Sequence, residues 1–322
     1  MNGSAETAAV PSTGWASFGA RLQAAVAAHG PLCAGIDPHP GLLAAWGLPE
    51  TAAGLETFSM RCVEAFGGRV ALVKPQSAFF ERYGSAGIAV LERTLAGLRD
   101  AGTLSLLDAK RGDIGSTMEG YAQAYLSDDS PVRADALTTS PYLGYEALRP
   151  VLDVAWATGR GVFVLTLTSN PEGRTVQHAV LDGRSVAACV VDGVRADNAR
   201  PAPAPAGLSG APGAPGGPED EHTATLSQTP GWGSIGMVVG ATVGDAIDRL
   251  GLDLAGANAP LLAPGLGAQG ATVQDVRRAF GPSVTRVLAA SSRDVLSAGP
   301  AVSSLQARAV EVAERLRDTL RP

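Results

Sequence analysis

Residues 106–117, LLDAKRGDIGST, place Asp108, Lys110 and Asp113 within six positions. The apolar run just before them, residues 104–107, reads as a buried strand. An extended chain turns alternate side chains to one face, so Asp108 and Lys110 are expected to project together from the strand's end. Asp113 follows Gly112 on the loop toward the next helix. Two carboxylates beside one ammonium favour its charged form and fix where its proton sits. Such an amine can donate a proton to a carbon or clamp an anion. The alternative is a solvated surface ion cluster, and this spacing alone does not separate the two.

Other polar residues stand at the ends of apolar runs. Residues 32–36 end at Asp37-Pro38, and Pro38 cannot continue a ladder, which leaves Asp37 at a strand's rim or simply in a turn. Residues 70–73 end at Lys74-Pro75, where Lys74 either snorkels or works. Residues 161–168 run into the polar turn that begins at Ser169, and residues 286–290 are followed by Ser291-Ser292-Arg293. Residues 261–263 open into Pro264-Gly265-Leu266-Gly267-Ala268-Gln269-Gly270. Gly265, Gly267 and Gly270 let backbone amides approach an anion at the following helix's start. Gln269 adds an amide donor and Arg293 a fork of donors, the make-up of a phosphate site; the bland reading is a glycine-rich turn and a surface arginine.

The elements that must position these residues follow from hydrophobic periodicity. Trp15, Phe18, Leu22 and Val26 form a helical stripe with Ser12 and Thr13 as candidate caps. Further helical stripes are Leu55, Phe58, Cys62 and Phe66; Ile88, Leu91, Leu95 and Leu98; and Leu148, Val151, Leu152 and Ala155. Tyr121 and Tyr125 lie one turn apart in the helix after Asp113. A helix is expected over about residues 176–198, and another capped by Thr242 with Ile247 and Leu250 inward. Val273, Val276 and Phe280, then Leu305, Val312 and Leu316, mark the last two. Residues 136–139 and 235–240 complete a set of eight strand candidates, each followed by a helix candidate. The strands are mostly continuous apolar runs, as parallel strands buried on both faces require. The expected fold is a closed (β/α)8 TIM barrel in one domain, residues 15–322. An open doubly wound sheet is the alternative, but no GxGxxG follows the first strand.

Residues 201–218, PAPAPAGLSGAPGAPGGP, interrupt that rhythm between strands five and six. This composition cannot bury enough apolar surface to offset its ordering entropy, so a flexible insertion is expected over about residues 200–230. Residues 1–14 read as a disordered lead-in, with no lysine, arginine or long apolar core to make a secretory signal.

The composition excludes several classes. A net charge of -6 with no basic block argues against nucleic-acid binding. No apolar run approaches the roughly 20 residues needed to span a membrane. Three scattered cysteines without CxxC, and four histidines without HxH or HExxH, suggest neither a disulfide framework nor a metal site. The expected compartment is the cytoplasm.

With GIDPHP, LVKPQSAFFE, DAKRGDIGST, LTLTSNPEG, VVGAT, APGLGAQG and SSRD in this order, the chain resembles the orotidine 5'-phosphate decarboxylases, in their longer bacterial form. The resemblance runs from about Leu32 to the last helix; the Pro/Ala/Gly insertion departs from it. It implies conversion of orotidine 5'-phosphate to uridine 5'-phosphate and CO2 without metal or organic cofactor. It further implies that Asp37 and Lys74 bind the ribose, Asp108 faces the substrate carboxylate, and Lys110 protonates C6. Ser169 would meet the pyrimidine edge, while Gln269 and Arg293 would hold the phosphate. Asp113 and Thr117 would reach into a partner's site in a homodimer. Rival readings are a magnesium-dependent sugar-phosphate barrel, an inactive nucleotide binder, and a Schiff-base aldolase, the last disfavoured because flanking carboxylates keep the amine protonated.

Overall fold

The computed structural model describes residues 16–200, 231–265 and 273–320. The expected lead-in, Ser12, Thr13, Trp15, nearly all of the expected insertion, and Gly267, Gln269 and Gly270 lie outside the described residues.

Helix α1 (Phe18–His29) starts where the Ser17 hydroxyl accepts from the Ala20 amide, so Ser17 is its cap. Strand β1 (Leu32–Ile36) follows, then short α2 (Pro40–Ala45), α3 (Ala52–Phe66) and β2 (Leu72–Pro75). Next come α4 (Ser77–Glu81), α5 (Gly84–Asp100), β3 (Leu104–Arg111), α6 (Gly115–Leu126), β4 (Ala136–Thr139), α7 (Arg149–Ala157) and β5 (Gly161–Leu167). The β5 connection holds α8 (Arg174–Gln177), a hairpin of β6 (Val180–Leu181) and β7 (Arg184–Ser185), and α9 (Val186–Asn198). The chain then runs β8 (Ile235–Val239), α10 (Ala246–Arg249), β9 (Leu261–Pro264), α11 (Val273–Phe280), β10 (Val287–Ser291), α12 (Arg293–Leu296) and α13 (Val302–Thr319). Strands β1, β2, β3, β4, β5, β8, β9 and β10 pair in that order, all parallel, and β10 closes on β1. The barrel expected from the strand–helix rhythm is therefore the fold.

Some elements differ from expectation. The helix expected over residues 176–198 is broken: Asp182 and Gly183 take φ of 50° and 78°, the geometry of a tight hairpin turn, and Ser185 then caps α9 by accepting from Ala188. Thr242 caps nothing, because α10 is a single turn beginning at Ala246. Ile88 faces outward while Val90 joins Leu91, Leu95 and Leu98 in the core. The stripes on α3, α7 and α13 are buried as expected.

The barrel interior is an apolar column. Cys33, Leu72, Leu106, Ala136, Phe163, Val238, Leu262 and Leu288 point inward, one from each strand. Phe18 and Leu22 of α1 complete this cluster from below, and the Phe18 ring meets Phe163 edge-on at 6.1 Å. Gly161 makes room for it, since a Cβ there would lie 2.3 Å from the Phe18 ring. At the same end Arg21 donates to Asp135 at 2.6 Å and to the Gly159 carbonyl at 3.0 Å. The other Asp135 oxygen accepts from the Ser105 amide at 3.0 Å and hydroxyl at 3.2 Å. The N-terminal end of the barrel is thus plugged and its charges are matched. The chain leaves the described region at Arg200, after α9, and returns just before β8, on this plugged side. Among the described residues no helix is long and apolar enough to cross a membrane.

Candidate active site

At the opposite end the column gives way to a cavity of about 430 Å³, with Leu165, Val238, Leu262 and Ala290 beneath it. Its polar wall is Asp37 after β1, Lys74 at the end of β2, Asp108 and Lys110 on β3, and Thr138 on β4. Ser169 and Asn170 after β5, Gly265 after β9, and Ser292 and Arg293 after β10 face them. These are the C-terminal ends of the strands, where a barrel of this kind carries its chemistry. The volume is in the range that takes a small ligand.

Asp108 is the hub. One carboxylate oxygen accepts from Lys74 Nζ at 2.8 Å; the other accepts from Lys110 Nζ at 2.6 Å and from the Thr138 hydroxyl at 2.9 Å. Burial pushes the Asp108 carboxyl up, but the charge of Lys74, then that of Lys110, and their hydrogen bonds outweigh it and hold it down at about 2. Burial likewise opposes the charge on Lys74, yet Asp108, then Asp37 and Cys33, overcome it and raise its ammonium above the ordinary range. The Cys33 thiol, buried under this pair, is pushed up to about 12 by desolvation, against the pull of Lys74. The two amines differ in access: the Lys74 side chain is 9% exposed and that of Lys110 45%. They are also the two lysines of the sequence; its other cationic side chains are arginines. An arginine cannot give up its proton in a protein, so Lys110 is a group of the type that proton donation requires.

The co-facing of Asp108 and Lys110 has a different cause from simple strand alternation. In the β3–β4 ladder Leu107 pairs with Leu137, and the next pair is Arg111 with Thr139. Asp108, Ala109 and Lys110 therefore oppose Thr138 alone, a β-bulge, and Lys110 takes φ 48°, in the left-handed region. Its amide donates to Thr138 Oγ1 at 3.0 Å, so one hydroxyl ties the backbone of Lys110 to the carboxylate of Asp108. Thr138 and Gln76, whose amide oxygen accepts from Lys74 at 3.4 Å, were not singled out from the sequence. Thr138 lies near the end of an apolar strand, the same positional signal that marked Asp37 and Lys74.

Asp37 has one buried carboxylate oxygen, Oδ1, without a hydrogen-bond partner, in a wall of the cavity. Arg293 and Gly265 both line it, and the Arg293 guanidinium meets no partner among the described residues. Asp113 is not brought to Lys110 within one chain: it is absent from the cavity lining, and its carboxylate accepts from the Ile114 amide at 2.9 Å. The second acid beside the Lys110 amine is thus missing from the single chain, and Asp108 holds both lysines instead. Thr117 is exposed in the first turn of α6. Among the described residues no group of three or more His, Cys, Asp or Glu is placed to hold a metal ion.

Three comparisons bear on this site. The family model for orotidine 5'-phosphate decarboxylase / HUMPS matches residues 30–307. The orotidine 5'-phosphate decarboxylase of Salinispora arenicola is 54% identical over 305 residues, 94% of this chain and 98% of the relative. That of Streptomyces coelicolor is 51% identical over 301 residues, 93% and 97% of the two chains. A Streptomyces avermitilis crystal structure, provisionally named for the same enzyme, superposes with a TM-score of 0.82 at 51% identity, covering 94% and 96%. The match extends over nearly the whole chain, from β1 to α13, and the chain belongs to the orotidine 5'-phosphate decarboxylase / HUMPS family.

Proposed function

We propose that this protein decarboxylates orotidine 5'-phosphate to uridine 5'-phosphate and CO2, a step of pyrimidine biosynthesis, with Lys110 as the proton donor to C6 and without a metal or organic cofactor. The observation that carries the reading is the Lys74–Asp108–Lys110 chain of ion pairs at the barrel mouth. The names of the relatives supply the substrate.

Asp108, held down at about 2, is an anion at neutral pH. A substrate carboxylate set against it is repelled, and that repulsion is relieved as CO2 leaves. The electron pair left on C6 forms beside the Lys110 ammonium, a fixed charge where negative charge develops. The N–H bond then breaks as the C–H bond forms, and the neutral amine regains its proton from solvent. Lys74 is the poorer donor, because it is buried and its ammonium is stabilised. Asp37 lines the cavity, and its carboxylate suits a ribose hydroxyl. Arg293 and Gly265 hold the phosphate, together with Gly267, Gln269 and Gly270, and Ser169 meets the pyrimidine edge. Phosphate binding remote from C6 contributes to the transition state.

The working unit is a homodimer in which Asp113 and Thr117 complete the partner's site. In support, Asp113 stands away from the cavity of its own chain, and the loops around it expose Ile114 (62%), Tyr142 (75%) and Leu143 (53%). Mixing Lys110→Ala with Asp113→Ala protein would restore part of the activity by forming one intact site; failure to do so would refute shared sites. The cytoplasm is the compartment we assign.

The test is the loss of orotidine 5'-phosphate absorbance with wild type and Lys110→Ala. The variant is expected to lose about 10⁴-fold in rate, the upper end for a positioned general acid, while retaining product binding. A wild type without turnover refutes the function; near-wild-type turnover in the variant refutes the role of Lys110. Activity abolished by EDTA would refute cofactor independence and favour the sugar-phosphate branch.

A further inference from the structure

The bulge that aims Lys110 costs free energy, because a bulky residue in the left-handed region is strained. Something must hold it. Thr138 ties it from the inside of the barrel. On the outside the next residue, Arg111, does so. The Arg111 guanidinium turns back and donates to the carbonyl of Ala109, in the middle of the bulge, at 3.2 Å. The same group donates to Glu81 on α4 and to the Tyr125 hydroxyl on α6 at 3.3 Å. It lies over the rings of Tyr121 and Tyr125, at 5.6 and 5.7 Å. Glu81 is itself fixed, accepting from Ser77 Oγ at 2.6 Å. The Arg111 carbonyl resumes the ladder by accepting from the Ser140 amide at 2.8 Å, and Gly112 allows that close approach, since a Cβ there would lie 2.3 Å from the Ser140 carbonyl oxygen.

We propose that Arg111 is a positioning residue for Lys110: anchored by Glu81 and Tyr125, its guanidinium holds the Ala109 carbonyl and so fixes the β3 bulge that brings Lys110 Nζ onto Asp108. The inference rests on the reading of Lys110 as proton donor, and it adds a residue that touches neither substrate nor Asp108. Geometry explains why arginine stands here. A guanidinium reaches a carbonyl, a carboxylate and a phenol at once while lying across two aromatic rings, which one ammonium does not.

The test uses Arg111→Met, which keeps most of the aliphatic stem, and Glu81→Gln, which keeps the packing and removes the anchoring charge. Turnover of orotidine 5'-phosphate is expected to fall about 100-fold in Arg111→Met and about 10-fold in Glu81→Gln, the scale of a displaced catalytic group, while KM and uridine 5'-phosphate affinity change less than about threefold. A second readout needs no substrate turnover. Acetic anhydride labelling, read by mass spectrometry against an added lysine peptide as reference, is expected to modify Lys110 faster in both variants, because the amine is freed from Asp108. Unchanged turnover and labelling in folded Glu81→Gln would overturn the proposal. So would turnover lost in step with product affinity and melting temperature, which is what mere structural support predicts. Should Arg111→Met fail to fold, Glu81→Gln still decides the matter, since Glu81 is partly exposed at the barrel surface. If the wild type lacks turnover but the labelling contrast holds, the proposed function fails and the positioning of Lys110 stands.

Discussion

The two ends of the barrel handle buried charge in opposite ways. At the plugged end, both oxygens of Asp135 are hydrogen-bonded and its partner Arg21 also satisfies the Gly159 carbonyl. Phe18 and Leu22 fill the base of the apolar column. At the open end, Asp108 carries two cations, Asp37 Oδ1 has no partner, and Arg293 is unpaired among the described residues. The first arrangement is complete without a ligand. The second leaves Asp37 Oδ1 and, among the described residues, the Arg293 guanidinium without a partner. The difference lies in how charge is paired: matched at the plugged end, shared or left open around the cavity at the other.

That contrast can be broken at several points. Asp108→Asn should strike the open end hardest, lowering turnover about 10³-fold, or about 4 kcal/mol of transition-state stabilisation, by steady-state kinetics. Phe18→Ala should do the reverse: it empties the plug and is expected to cost about 3 kcal/mol of stability in urea unfolding, with turnover of the folded enzyme unchanged. A drop in turnover without a drop in stability would show that the ends are not separable. Asp37→Asn should lower kcat/KM about 30-fold, or about 2 kcal/mol, through KM, read by steady-state kinetics. Arg21→Ala, which breaks a partly exposed pair, should cost about 1 kcal/mol of stability and leave KM alone.

The last effect is a slope. The Asp108 carboxyl is lower in the folded chain, at about 2, than the ordinary carboxyl near about 4. The unfolded chain therefore binds the proton first, so the contribution is full above about 4 and is lost as pH falls through about 2. Acid unfolding of Asp108→Asn should be less steep across that window than that of wild type. An identical slope would mean that the Lys74 and Lys110 pairs do not lower the carboxyl.

Much of this was legible in the sequence. The eight buried runs were visible because a parallel strand covered on both faces has no polar side. The mouth was visible because a polar residue directly after such a run can hardly be elsewhere than at a strand's rim, as with Asp37, Lys74 and Asp108. Legibility failed where the signal was local turn chemistry set against a helical pattern. Asp182-Gly183 made a hairpin inside an apolar stretch that reads as continuous helix, and Gly244, at φ 62°, preceded a helix of one turn where Thr242 suggested a longer one. The role of Thr138 was illegible because its partner, Asp108, comes from another strand.

By itself the sequence determined which residue types stand at which strand ends, and hence the barrel and the chemistry open to it, because burial and periodicity are properties of nearby residues. Tertiary structure decided how Lys110 points. Its direction comes from a bulge, a Thr138 hydroxyl on the adjacent strand and an Arg111 anchored to two helices. Pairing of β2 with β3 also decided that the two lysines share one carboxylate 34 residues from the first. Such contacts join residues far apart in the chain, and no local pattern records them.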